Sequence, residues 1–277
     1  MKENISWDQI AVGNFTYPLF RFTTFLDSMV RLGVKNIEVW AAGPHLYLED
    51  ATPEMLRRMR REIRARELNP ICLTPEQCMY PINIGAEEPW IRDRSVKYFE
   101  KGLKASESLG IRQMLVTPGD GYRENESTET KKYTIENLRY LSEKARDYGV
   151  TLLLEHLTVE TTNLATRANE LADLNREIDC DNIIPMVDTD MMSRYGETIS
   201  DYLNAFDGVI GHVHLVDGMP AGHLALGDGV LPLENYIEEL RRVNYNKYIS
   251  LEISNDRYHL NPEDAVKRSI DWLKKVL

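Results

Sequence analysis

The chain has 277 residues, 43% of them hydrophobic and 28% charged, and a formal net charge of -11 at pH 7. That length can hold one large domain or two modest ones around a substantial core, and the acidic balance argues against a nucleic-acid backbone as the main partner, since phosphate binding needs a concentrated basic surface. No run approaches ~18 consecutive apolar residues, so no membrane span is expected; a small phosphorylated substrate stays compatible, because one local arginine can hold it.

The opening MKENISWDQIAVGNF lacks a continuous apolar stretch, so no signal peptide is expected. Strand-like and helix-like stretches then alternate about eight times. AVGNFTY precedes the helix FTTFLDSMVRLG, KNIEVW precedes TPEMLRRMRREIRAREL, and PICLTP precedes PWIRDRSVKYFEKGLKASESLG. QMLVTPG is followed by a helix from Thr128 to Tyr148, and TLLLEHL by LATRANELADLNREI. IIPMVDT, GHVHLVD and YISLEIS lead into shorter helices over 198–206, 233–243 and 262–277. Several helices end at glycine (Gly33, Gly110, Gly149), and the Thr-Pro-Glu of TPEM supplies an N-cap, an N1 proline and early negative charge. Three cysteines, Cys72, Cys78 and Cys180, show no zinc-knuckle spacing and point to a reduced, cytoplasmic setting.

The strands are apolar on both faces, as parallel strands covered by helices should be. No linker or low-complexity tract divides the chain, so residues 1–277 are expected to form a single α/β domain, a (β/α)8 TIM barrel. A doubly wound open sheet is the rival. It usually carries a Gly-rich phosphate loop after its first strand, and neither GxGxxG nor GxxxxGKT occurs.

Four late runs, LLLEH, IIPMVDTD, GHVHLVD and ISLEIS, place Glu155, Asp188, His214 and Glu252 near strand ends. Singly, such a glutamate is often a helix cap and such a histidine a hydrogen-bonded core residue. Jointly, four consecutive strands deliver metal-competent groups to the end where barrel active sites lie. Three carboxylates and an imidazole, without thiolates, suit Mn²⁺, Co²⁺, Ni²⁺ or Mg²⁺, with catalytic zinc a further candidate. A chelated hydroxyketone beside two glutamates would lose a proton to one and regain it from the other. Glu155 and Glu252, on the fifth and eighth strands, are the pair assigned to that two-base inversion.

His212 shares a strand face with His214, as Asp190 does relative to Asp188. These two residues and Asp217 are expected either to contact substrate or to serve as core and cap residues. Trp40, His45, Glu76, Tyr80 and Asn83 follow the second and third strands and suit a polyhydroxylated ligand. His223 and Asp228, in HLALGDGVLP, are weaker contact candidates.

The ordered set IEVWAAGPHLY, LTPEQCMYPINI, EHLT, MVDTD, HVHLVD, LGDG and SLEI resembles the sugar epimerase branch of the xylose isomerase-like barrels, and within it the fructoselysine 3-epimerase type. The resemblance implies a metal on Glu155, Asp188, His214 and Glu252, and proton transfer by the two glutamates through a cis-enediolate. It implies interconversion of fructoselysine and psicoselysine, a small-molecule sugar partner and a homo-oligomer. Free-ketose epimerases of this kind carry a histidine three residues after the Asp ligand, where this chain has Met191. The substrate-contacting glutamate after the fifth strand is matched by Glu160 or Thr161. A 3-epimerase of a free ketose or ketose phosphate is the neighbouring alternative. A related three-zinc DNA-repair endonuclease is disfavoured by six histidines and the charge of -11.

Overall fold

A computed structural model describes residues 5–77 and 81–277. Among them eight parallel strands close in sequence order into a barrel: β1 Ile10–Gly13, β2 Asn36–Ala41, β3 Asn69–Pro75, β4 Gln113–Val116, β5 Thr151–Leu154, β6 Ile183–Asp188, β7 His212–His214 and β8 Ile249–Leu251. The helices are α1 Phe22–Leu32, α2 Pro53–Arg64, α3 Pro89–Leu109, α4 Thr128–Asp147, α5 Ala168–Ile178, α6 Thr189–Ser193, α7 Ile199–Ala205, α8 Leu233–Arg242 and α9 Pro262–Val276. This is the (β/α)8 architecture expected from the repeat.

Local chemistry accounts for the helix ends. Thr52 caps α2 by accepting from the Met55 amide, and Pro53 occupies the first turn, where its missing N–H costs nothing. Gly33 ends α1 in the left-handed region at φ 71°, which a residue with a Cβ adopts only under strain. Helix α1 buries Phe25, Leu26 and Met29 against the barrel, spaced to share one helical face.

Most of the core lies between strands and helices. A second, small cluster of Ala11, Ile71, Cys72, Leu115, Leu153 and Met186 fills the barrel interior. Toward the strand ends the register sets polar residues level with one another: Asp188 pairs with His214, and His214 with Ser250.

Some boundaries differ from expectation. The first strand stops at Gly13, and residues Asn14–Thr16 form a single 3-10 turn that folds Phe15 back toward the mouth. Helix α5 starts at Ala168 rather than Leu164, because Glu170 reaches back to the Thr166 amide and hydroxyl and stops the helix propagating upstream. Cys72 is buried and Cys180 half-buried, both free; Cys78 and Tyr80 lie outside the described residues. No helix among the described residues is long and apolar enough to cross a membrane.

Candidate metal centre

Glu155 and Glu252 each lie one residue beyond their strand, Asp188 ends β6 and His214 ends β7. One ligand atom from each of the four falls within 4.8 Å of the others. His214 Nδ1 lies 2.9 Å from Glu252 Oε2, 3.2 Å from Glu155 Oε1 and 3.9 Å from Asp188 Oδ2. Those same four atoms are buried and have no hydrogen-bond partner. Buried polar atoms are rarely left unpaired, and four converging lone-pair donors are what a hard divalent cation satisfies. The residues therefore fit a divalent metal. Asp188 divides its labour: Oδ1 accepts from the Met191 amide at 2.8 Å and caps α6, leaving Oδ2 to face His214.

The electrostatics agree. Burial by itself would lower His214, but the Glu38 and Glu252 carboxylates hold it well above the usual imidazole range. Burial raises Glu155. The same burial acts on Glu252, yet the adjacent His214 and His223 hold that carboxyl low.

The other candidates divide by position. His223 joins the centre: Nε2 lies 3.4 Å from Asp188 Oδ2 and 3.5 Å from Glu252 Oε2, and Nδ1 lies 3.6 Å from Asp190 Oδ2. Asp190 holds that loop in place by accepting from the Gly222 and His223 amides, while Arg194 forks onto its other oxygen. His212 is fully buried beneath His214, 3.1 Å from Glu38. Glu76 sits exposed at the rim and accepts from Trp40 Nε1 at 2.9 Å. His45 is turned away, with Nδ1 on Asn14 and Nε2 on the Phe20 carbonyl, beside a cavity of about 510 Å³ between the start of α1 and α2. Asn83 ties the loops after β3 and β4 together through Asp120 and Gly85. Asp217 accepts from the amides of Gly218, Gly227, Gly229 and Leu231, knotting the loop after β7. Asp228 is bound to Tyr258, Arg257 and Arg268. Glu160 is exposed beyond β5, with Thr161 half-buried beside it.

Two groups at the centre escaped the sequence reading. Glu38, on β2, is fully buried against His212, His214 and Thr74; its only signal was one acidic residue inside the apolar run KNIEVW. Phe15 is the other. Its ring stacks on Trp40 at 5.4 Å and meets His214 edge-on at 6.4 Å, forming an apolar wall beside the ligands. Gly13 makes this possible, because a Cβ there would lie 2.3 Å from the Phe15 ring. Gly13→Ala is expected to cost about 1–3 kcal/mol by overpacking. In thermal melts the loss should shrink when combined with Phe15→Ala, relative to the sum of the single changes. Additive losses would show that the ring is not what the methyl meets.

The model of the xylose isomerase-like TIM barrel family matches residues 26–276. The chain belongs to that family. It is 24% identical over 249 residues to fructoselysine 3-epimerase of Escherichia coli O157:H7, covering 89% of this chain and 90% of that one. It is 26% identical over 239 residues to the L-ribulose-5-phosphate 3-epimerase UlaE of Shigella boydii, covering 81% and 82% of the two chains. Among solved structures, D-psicose 3-epimerase from Clostridium cellulolyticum H10, solved with D-tagatose, superposes with a TM-score of 0.78 at 15% identity, covering 97% of this chain and 99% of that one. The family's barrel is thus shared with several sugar epimerases, and this member places a candidate divalent-metal site at its mouth.

Proposed function

We propose that the chain is a single-domain, divalent-metal-dependent 3-epimerase of a ketose. The observation that carries this reading is the pair of glutamates, Glu155 and Glu252, on either side of His214 Nδ1 at 3.2 and 2.9 Å. When bound, a divalent cation supplies Lewis acidity that polarises the C2 ketone and acidifies the neighbouring C3–H. The chain's own groups do the rest. One glutamate takes the C3 proton from one face of the sugar, leaving a cis-enediolate, and the other returns a proton to the opposite face. Asp188 and His214 hold the ligand set together, His223 meets a substrate oxygen, and Phe15 and Trp40 exclude water from one side.

For substrate we infer a free ketose of the tagatose or psicose type, a reading supported by the barrel shared with D-psicose 3-epimerase. Two arginines in loops after the strands are already engaged: Arg123 by Asp120 and the Gly121 and Val159 carbonyls, Arg194 by Asp190. A ketose phosphate would have to share these arginines with the carboxylates they already pair with, and we rank it lower on that ground. Fructoselysine is the second reading. It is favoured by the near full-length match to fructoselysine 3-epimerase and by the exposed carboxylate of Glu76, which suits a cationic amine.

Turnover in D2O with Mn²⁺ or Co²⁺ tests the chemistry. Deuterium should enter the substrate at C3, and an active preparation without such exchange would sink the two-base reading. A panel of free ketoses, fructoselysine, other Amadori compounds and ketose phosphates ranks the substrates by kcat/KM.

A further inference from the structure

Glu38 lies inside the barrel, one layer below the ligands, and reaches from β2 across to β7. Two small side chains lie between those strands in the barrel order, Ala11 on β1 and Ser250 on β8. The Thr74 hydroxyl donates to Glu38 Oε1. His212 Nε2 lies 3.1 Å from Oε2, and His214 Nε2 lies 3.0 Å from Oε1 and 3.2 Å from Oε2.

An ionised carboxylate only accepts, so each imidazole must present its proton on Nε2. A neutral imidazole protonated there carries its lone pair on Nδ1. For His214 that lone pair faces Glu155, Glu252 and Asp188. We propose that Glu38 is a positioning residue: it fixes the tautomer and ring orientation of His214 so that Nδ1 serves the metal, while Thr74 and His212 hold Glu38 in place. This rests on reading Glu155, Asp188, His214 and Glu252 as the ligands. Carboxylates that accept from the distal nitrogen of a metal-bound histidine orient the ring and strengthen its donor atom.

Glu38, His212 and His214 could also be read as a metal trio of their own. The atoms that face one another within that trio are already paired: both Nε2 atoms contact the Glu38 carboxylate, which also accepts from Thr74. His212 Nδ1 is unpartnered but lies on the far side of its ring from Glu38, whereas the unpartnered atoms of His214, Glu155, Asp188 and Glu252 converge on one another.

The test uses the full chain and Mn²⁺ alone, with free Mn²⁺ read by electron paramagnetic resonance. Glu38→Gln, which keeps the volume and removes the charge, should weaken Mn²⁺ binding about 10–100-fold, and Thr74→Val should weaken it less. The visible spectrum of the Co²⁺-loaded protein should shift in Glu38→Gln, a change that a purely structural role would not produce. In the ¹⁵N-histidine-labelled, Zn²⁺-loaded parent, which needs no variant to fold, His214 should show a protonated Nε2 and a metal-bound Nδ1. Parent-like Mn²⁺ affinity and an unshifted Co²⁺ spectrum in Glu38→Gln would overturn the proposal, as would metal on His214 Nε2. A parent that binds no Mn²⁺ overturns the ligand assignment itself, and this inference with it.

Discussion

Glu155→Gln and Glu252→Gln should each cut turnover by about 10³-fold or more, within the range of roughly 10²–10⁴-fold that acid–base groups contribute, with loss of a metal ligand added to it. Glutamine keeps the size and one acceptor oxygen but cannot take up or release the C3 proton near neutral pH. Because the two carboxylates would serve opposite faces of one carbon, losing either blocks epimerisation in both directions. The fold should persist, since neither side chain belongs to the apolar core and each change removes one of three mutually repelling carboxylates. The measurement is kcat in both directions, with bound metal per chain determined alongside. A variant that keeps its metal, has lost turnover and still exchanges deuterium at C3 identifies the face served by the remaining glutamate. Near-parental turnover in either variant would remove that residue from the acid/base pair.

Removing the metal is the second large effect. Three carboxylates and an imidazole converge with no hydrogen-bond partners for their facing atoms, so dialysis against a chelator should abolish turnover and lower the melting temperature. At Mn²⁺ about 100-fold above Kd, linkage gives about 2.7 kcal/mol. In a chain of this size that is about 5 °C in Tm. Readdition of Mn²⁺ or Co²⁺ should restore both quantities together. Equal melting curves with and without metal would mean that the cluster does not bind it in the folded state. Glu155→Gln should narrow the gap between the two curves, because it removes both a ligand and part of the repulsion.

Much of the fold and of the candidate ligand cluster was legible in sequence because both depend on local signals. Strands buried on both faces read as apolar runs, and glycine, Thr-Pro and Asn-Pro mark the helix boundaries. A polar residue at the end of such a run stands out, as Glu155, Asp188, His214 and Glu252 do. Glu38 did not stand out. Its partners His212 and His214 come from 174 and 176 residues further along the chain, so nothing local shows that its charge is matched. Loop residues were equally opaque. Asp217 and His223 follow the same strand with similar polarity, yet one is saturated by four backbone amides and the other reaches Asp188 and Glu252.

The amino-acid pattern by itself determined a parallel eight-stranded barrel and the four side chains that converge at its mouth, because periodicity and strand-end position are properties of neighbouring residues. Tertiary structure alone decided which polar groups face one another. It separated His45, held by Asn14 and Phe20, from His223, which lies beside the ligands. It also set Glu38 under His214. Pairing between residues far apart in the chain depends on strand register and on space left by small side chains, and closure of the barrel creates both.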